Sequence, residues 1–305
     1  MSRPTLRQLE YAVALADHLH FGDAAAAVHV SQPALSAQIR ELEDRLGVAL
    51  FERGTAGTVL TSVGHEVVDR ARAVLGSIGE LESTAAAHAG VIRGEIRIGA
   101  IPTVAPYLLP PIVDRLRTEW PDARIVIEEL QSRTLLAAMD AGNLDLGVLA
   151  TPYDTGHLHC EPLADEPFHL AVPSDHPLAE STAPVPLDVL ASLTVLLLPE
   201  GHCLREHARQ ACDIAGRSEH SEVRASSIAT LSRMVASGMG ATLLPASAEA
   251  IESRPGSGIT TRPFSDPPPG RTIALLWRPT DPRRDLFAAL VPALRDDAAA
   301  AALSG

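Results

Sequence analysis

Lysine is absent: every one of the 25 basic residues is arginine. A compositional bias of the coding genome is the plain reading of that gap, and no function is attached to it. Basic excess is missing too. Against 38 acidic residues the formal net charge is −13, which argues against non-specific affinity for nucleic acid, so any DNA binding must come from a defined motif. No apolar run of about 18 residues occurs, and the N-terminus MSRPTLRQLE lacks an apolar signal core. Neither a membrane span nor export is expected, which places the chain in the cytoplasm. Cysteine is scarce, with three in 305 residues. In a reducing compartment, the pair Cys203 and Cys212 therefore points to catalysis, metal binding or redox sensing rather than a static staple. There is no CxxC spacing, tandem repeat or glycine-rich phosphate loop. What is present, 46% hydrophobic and 21% charged residues, suits a globular protein of two or three domains.

Residues 5 to 53 read as helical, with Thr5 as a cap and Leu6, Leu9 and Val13 on one face of a helix that Gly22 ends. A short alanine-rich helix over DAAAAV follows. Ser31 then caps QPALSAQIRELEDRLG, with Pro33 in the first turn and Gly47 as the stop. In this third helix Leu35, Ile39, Leu42 and Leu46 form an apolar stripe, leaving Pro33, Ser36 and Arg40 on the outward face. FERGTAGTVLT follows as a hairpin-like wing. These parts describe a winged helix-turn-helix over residues 1–60. Gln32, Pro33 and Ser36 are placed to meet base edges or a thymine methyl, Arg40 a base or phosphate, and Arg53 of the wing the DNA backbone. With five arginines against seven acids in residues 1–65, affinity must come from local placement and avidity.

From Thr61 to about His88 one long helix is expected. Val67, Ala71, Val74, Ile78 and Leu81 recur along it at the period of a coiled-coil seam, which implies a homodimer. Beyond Gly90 short apolar strands alternate with helical stretches: EIRIGA, RIVIEEL, LDLGVLA, FHLAVP, TVLLLP, ATLLP and TIALLW. The fold class is thus α plus α/β: a winged helix-turn-helix, a linker helix over 61–90 and a two-lobed α/β domain. The expected lobes are 91–166 and 167–270, with 271–305 returning to the first lobe and RDDAAAAALSG as a frayed end.

That order of parts resembles the LysR-type transcriptional regulators, whose effector domain is similar to the periplasmic solute-binding proteins. HFGDAAAAVHVSQPALSAQIRELEDRLGVALFER resembles their DNA-reading signature, and SSIATLSRMVASGMGATLLP a signature of their second lobe. IPTVAPYLLP, GHCLREHARQAC and RTIALLWRP are similar to the hydrogen-peroxide-sensing branch of the family. The resemblance implies a peroxide pocket in which Thr103 and Ser132 position peroxide, Arg271 favours the thiolate of Cys203 and His202 orients the site, with Glu206 also present. Ser132 stands where the family usually has threonine, which keeps the hydroxyl; Glu206 replaces an aspartate and keeps the carboxylate on a longer arm. It further implies oxidation of Cys203, Cys212 as the resolving thiol, a homotetramer built from dimers, double-stranded promoter DNA as partner and thiol reductants that reverse the switch.

Residue chemistry bears on this directly. A helix beginning near Cys203 stabilises a thiolate at its N-terminus through backbone N–H groups and the macrodipole. Nine helical residues advance about 13.5 Å and turn about 900°, which puts Cys212 on the opposite face. A disulfide needs Cα atoms within about 7 Å. Joining the two cysteines therefore requires the helix to unwind.

Other readings stay open: a regulator gated by a small organic effector with incidental cysteines, or a thiol peroxidase. Cys160 reads as structural. A metal site at Cys203 and His207 is disfavoured because Cys212 lies out of reach, so no metal and no cofactor are expected. Glu200 and Glu206 form no convincing acid/base pair.

Overall fold

The computed structural model describes residues 3–54, 57–88, 92, 94–216, 221–222 and 227–303. The chain divides into two compact units, residues 1–85 with 141–143, and residues 86–140 with 144–305.

In the first unit, α1 (Leu6–His18) opens with a capping box: the Thr5 hydroxyl accepts from the Gln8 N–H, and the Gln8 side chain accepts from the Thr5 N–H. Two otherwise unmatched backbone N–H donors are satisfied in this way. The buried face is Gln8, Tyr11, Ala12, Ala14 and Leu15. The expected Leu6, Leu9 and Val13 face is thus displaced: Leu6 is 43% exposed, because the alanines are the residues small enough to meet a neighbouring helix closely. Leu19, in the left-handed region at φ 51°, ends α1. Gly22 lies inside α2 (Phe21–Ala27) instead.

Helix α3 (Gln32–Leu46) follows Ser31, which stands at the N-cap position without making a side-chain capping bond, and Gly47 closes it at φ 73°. Leu35, Ile39 and Leu42 are buried, each contributing roughly 1.5–3 kcal/mol, while Leu46 at the frayed end is exposed. Strands β1 (Phe51–Gly54) and β2 (Gly57–Leu60) pair antiparallel as the wing. Glu43 anchors it to α3 by accepting the N–H groups of Leu50 and Phe51. Helix α4 (Ser62–His88) starts where the Thr61 hydroxyl accepts from the Gly64 N–H. Along the seam Ala71 is buried and Val67 and Ile78 are half-buried, whereas Val74 and Leu81 are 45% and 67% exposed.

The second unit is built from β3 (Gly94–Ala100), α5 (Ala105–Glu119), β4 (Ala123–Glu129), α6 (Ser132–Asp140), β5 (Leu146–Thr151) and β6 (His159–Pro173). It continues through β7 (Leu196–Leu197), α7 (Cys203–Ile214), β8 (Ser221–Glu222), α8 (Ile228–Ala236), β9 (Thr242–Pro245) and α9 (Ala246–Glu252). β10 (Ile259–Pro263), β11 (Gly270–Trp277) and α10 (Arg284–Leu303) complete it. One sheet runs β10-β6-β11-β5-β3-β4, with β9 also on β6. β3 lies parallel to β4 and β5, and β11 antiparallel between β5 and β6.

Two separate cores result. The first holds Ile96, Ile98, Leu108, Leu135, Val148, Leu275 and Phe287; the second holds Phe168, Leu170, Leu196, Ile228, Leu231 and Leu243. Strand β6 serves both: His159–Pro167 pair with β11, and His169–Pro173 with β10, while Phe168–Ala171 pair with β9. The sequence pattern located only the second half of β6, and it missed β10 entirely. TVLLLP contributes only the two residues of β7 to a strand. The tail is helix through Leu303 with Ala298 fully buried, so it is not a frayed end. Among the described residues no helix is long and apolar enough to cross a membrane.

The buried start of helix α7

Helix α7 begins against the turn between β4 and α6. Gly201 makes the approach at φ 95°, where a Cβ would come within 2.7 Å of the Gln131 side chain, so this position requires glycine. His202 follows at the N-cap, buried, without a side-chain capping bond and with no partner for Nδ1. Burial holds its pKa below the usual histidine value, and the charge of Glu129 opposes that shift in part. Ser132, next to Gln131 and first in α6, is buried with its hydroxyl unpartnered. Buried polar atoms are normally bonded, and two without a protein partner stand here, on the N-cap of α7 and the first residue of α6.

Cys203 is buried in the first core, whereas Cys212, on the same unbroken helix, is fully buried in the second. None of the three cysteines is bridged. The buried residues of α7 are Cys203, Leu204, His207, Ala208, Ala211 and Cys212. They span half the helix circumference, with the two cysteines at its two edges.

Arg271 of β11 is completely enclosed. Its Nε donates to Glu166 at 2.7 Å, Nη1 to the Thr103 hydroxyl at 2.9 Å and Nη2 to the Thr103 carbonyl at 3.0 Å. The other Glu166 oxygen accepts the Ser247 N–H at 3.1 Å. Since the Thr103 oxygen accepts from arginine, its own proton is directed elsewhere and can serve a guest. A cleft of about 440 Å³ opens beside this ion pair, lined by Thr151, Pro152, Asp165, Pro268 and Thr272 among others.

Thr103 and Arg271 are thus in direct contact, and His202 and Cys203 make the start of α7, where Gly201 lies close to Gln131, the residue before Ser132. Glu206 does not join them. It sits on the exposed side of α7, bonded to Arg209 at 2.7 Å and to Gln210. Arg209 holds its carboxyl below the ordinary value. The side chain follows the charged i, i+3, i+4 pattern with Arg209 and Asp213 rather than the buried stripe.

One buried residue escaped the sequence reading, and a second was weighed there only as a metal ligand. Glu166 is the counter-ion of Arg271, 105 positions away, with no local signal. His207 is buried one turn after Cys203; its Nε2 lies 3.3 Å from the Pro152 carbonyl and Nδ1 has no partner. Burial lowers its pKa, the Pro152 carbonyl opposes, Arg271 lowers it further and Glu206 opposes. Spacing from Cys203 was the available clue. Cys160 is half-buried at the edge of the first core, its pKa raised by burial and by Glu161. Among the described residues no group of three or more His, Cys, Asp or Glu side chains is arranged to hold a metal.

On the first unit, Ser31, Gln32, Pro33 and Arg40 are exposed along one side of α3 and Ser36 is half-buried. Arg53 lies in β1, its side chain outside the described residues.

Comparison with known proteins places these features together. Residues 6–65 match the bacterial regulatory helix-turn-helix protein model of the lysR family, and residues 89–299 match the LysR substrate binding domain. The DNA-binding transcriptional dual regulator OxyR of Escherichia coli K12 is 44% identical over 95% of this chain and 94% of its own. A probable hydrogen peroxide-inducible genes activator of Streptomyces viridosporus is 40% identical over 96% of each. Among solved structures, a full-length cysteine-to-aspartate variant of Pseudomonas aeruginosa OxyR superposes with TM-score 0.73 at 37% identity, covering 96% of this chain and 98% of that one. A cysteine-to-serine variant of Corynebacterium glutamicum OxyR, with hydrogen peroxide bound, gives 0.68 at 34% identity over 99% and 96%. The chain therefore belongs to the LysR family of bacterial regulatory helix-turn-helix proteins, in its OxyR branch.

Proposed function

We propose that this chain is a hydrogen-peroxide-responsive transcription regulator in which Cys203 is the sensor and Cys212 the resolving thiol. The observation that carries this reading is the division of one helix between two cores, with Cys203 in the first and Cys212 in the second. Peroxide is held by the hydroxyls of Thr103 and Ser132, with His202 orienting it and Arg271 favouring the thiolate. Sulfur attack gives a sulfenic acid and water. Cys212 then displaces the hydroxyl as a second water and closes the disulfide.

Closure is costly in structure. Over about 13.5 Å of helix, roughly two turns must open. At about 0.5–1.5 kcal/mol per hydrogen bond, some seven bonds amount to about 4–10 kcal/mol. Since 30 mV corresponds to about 1.4 kcal/mol for this couple, the bridge is more oxidising than an unstrained structural one by on the order of 100 mV, within reach of cytoplasmic thiol reductants. The refolded lobe then re-spaces the DNA-binding domains.

In the first unit Gln32, Pro33, Ser36 and Arg40, with Ser31 at the helix start and Arg53 in the wing, contact double-stranded promoter DNA. Val67, Ala71, Val74, Ile78 and Leu81 form the seam of a homodimer, and two dimers make the working tetramer; the exposure of Val74 and Leu81 supports this.

The test is peroxide treatment of the reduced full-length protein. Loss of two thiols and a Cys203–Cys212 linked peptide by mass spectrometry are expected, with different footprints of the two forms on promoter DNA. Unchanged thiols would favour a small organic effector. Rapid steady-state peroxide consumption without a footprint would make the chain a thiol peroxidase.

A further inference from the structure

We infer that His207 is the proton-transfer partner of Cys203, taking the thiol proton on Nδ1 as the sulfur attacks and returning it to the departing oxygen. This rests on the peroxide chemistry proposed for Cys203 and adds the proton's path.

Cys203 and His207 are four positions apart on α7, and both are buried. Side chains at that spacing are neighbours, with Cβ atoms about 5–6 Å apart. The Cα–Cβ bonds of a helix tilt towards its N-terminus, so the imidazole leans back over the turn that Cys203 begins. The Pro152 carbonyl can only accept a hydrogen bond; the Nε2 lying 3.3 Å from it therefore carries the ring proton, and a neutral ring so oriented has a lone pair on Nδ1. That Nδ1 is buried and without a partner, so the Cys203 thiol reaches it by a side-chain rotation or through one water as peroxide binds.

The groups facing the ring keep it neutral: Arg271 of β11 repels a second charge, Glu206 on its own helix opposes weakly from the exposed side, and the Phe168 ring of β6 lies 6.4 Å away. Other bases are less well placed. Glu166 has its two oxygens engaged by Arg271 and Ser247, and the Arg271 guanidinium offers donors only. His202 stands in extended backbone at the N-cap, ahead of the helix, and in the proposed site it orients peroxide.

The step balances. The S–H bond breaks and its proton passes to Nδ1, giving an imidazolium. The sulfur forms a bond to one peroxide oxygen, and the O–O bond breaks. The departing hydroxide takes the proton from Nδ1 and leaves as water. Sulfur is oxidised by two electrons to the sulfenic acid, and hydrogen peroxide is the oxidant.

The experiment follows Cys203 thiol loss in reduced full-length protein under excess hydrogen peroxide, with alkylation quench and mass spectrometry, from pH 5.5 to 8. Wild-type oxidation is expected to slow on the acid side as His207 takes up a proton. In His207→Gln, whose amide keeps a donor for Pro152 and offers no basic nitrogen, the rate at pH 7 should fall about 10- to 100-fold and the acid-side slowing should disappear. His207→Asn provides a second shape, and circular dichroism establishes that each variant is folded. Wild-type rates and profile in either folded variant would overturn the inference. If both variants unfold, nitrogen NMR of histidine in the wild type decides: a neutral Nε2–H tautomer at pH 7 supports it, and an Nδ1–H tautomer or an imidazolium overturns it. If wild-type Cys203 does not react with peroxide at all, the sensor reading itself has failed, which is a different result from an unaffected His207 variant.

Discussion

The two ends of α7 are built to opposite specifications. Its start is hemmed in by buried polar atoms that lack partners, on Ser132, His202 and His207. Its far end sinks Cys212 among Leu204, Ala208, Ala211 and the strands of the second core. On the reading proposed above, the thiol at the first end is the one that meets peroxide, and the thiol at the second stays inside the second core until the helix opens. Packing, with the residue type the same, is what distinguishes the two.

The largest expected effect removes one side of this contrast. Cys203→Ser should abolish the peroxide-dependent change in DNA footprint while leaving the reduced-state footprint intact; a retained response would transfer sensing to another residue. Cys212→Ala should leave Cys203 oxidation running but stop it at a sulfenic acid, which dimedone would trap, and the lost burial should lower the midpoint of thermal unfolding by a few degrees. Next comes the ion pair. Glu166→Gln leaves Arg271 buried without its counter-charge, which costs about 3–5 kcal/mol, read as a lower urea midpoint and slower Cys203 oxidation.

Smaller still is Ser132→Ala. Loss of one hydrogen bond to peroxide, about 0.5–1.5 kcal/mol, should slow oxidation roughly 2- to 10-fold, with little change in stability because the hydroxyl has no partner to lose. The pH dependence of stability has a definite sign. His202 and His207 are both held below their ordinary value of 6.5 by burial, so the unfolded chain binds protons first as pH falls. Stability should be flat above about pH 6.5 and decline below it, with a shallower decline in His207→Gln. Cys160→Ser should change the oxidation kinetics least, since burial and Glu161 raise that thiol's pKa.

Local chemistry made the first unit readable: caps, a helix stop at Gly47 and a wing each leave a mark within a few residues. The exceptions have the same logic in reverse. Gly22 looked like a terminator, yet Leu19 adopts the left-handed conformation three residues earlier, and only the packing against α2 explains it. The first half of β6, HCEPLADEP, was hidden because its acids and prolines imitate a loop; pairing with β11, more than a hundred positions on, makes it a strand. For the proposed sensor site, Cys203, His202, Thr103, Ser132 and Arg271 were named from motifs in the sequence. Glu206 was grouped with the pocket because the carboxylate was weighed by type, while its i+3 and i+4 partners Arg209 and Gln210 already marked a solvated face. Glu166 could not be found from spacing, since its only sign is an arginine in a distant strand.

Strand β6 carries residues of both cores, with one irregularity in its ladder at Leu163, between the pairs Ile273–Ala164 and Ala274–Pro162. Each lobe thus borrows part of its sheet from the same continuous segment. If the proposed refolding of α7 is passed on through that segment, inserting a glycine beside Pro167 is expected to weaken the peroxide-dependent change in DNA footprint while leaving Cys203 oxidation in place.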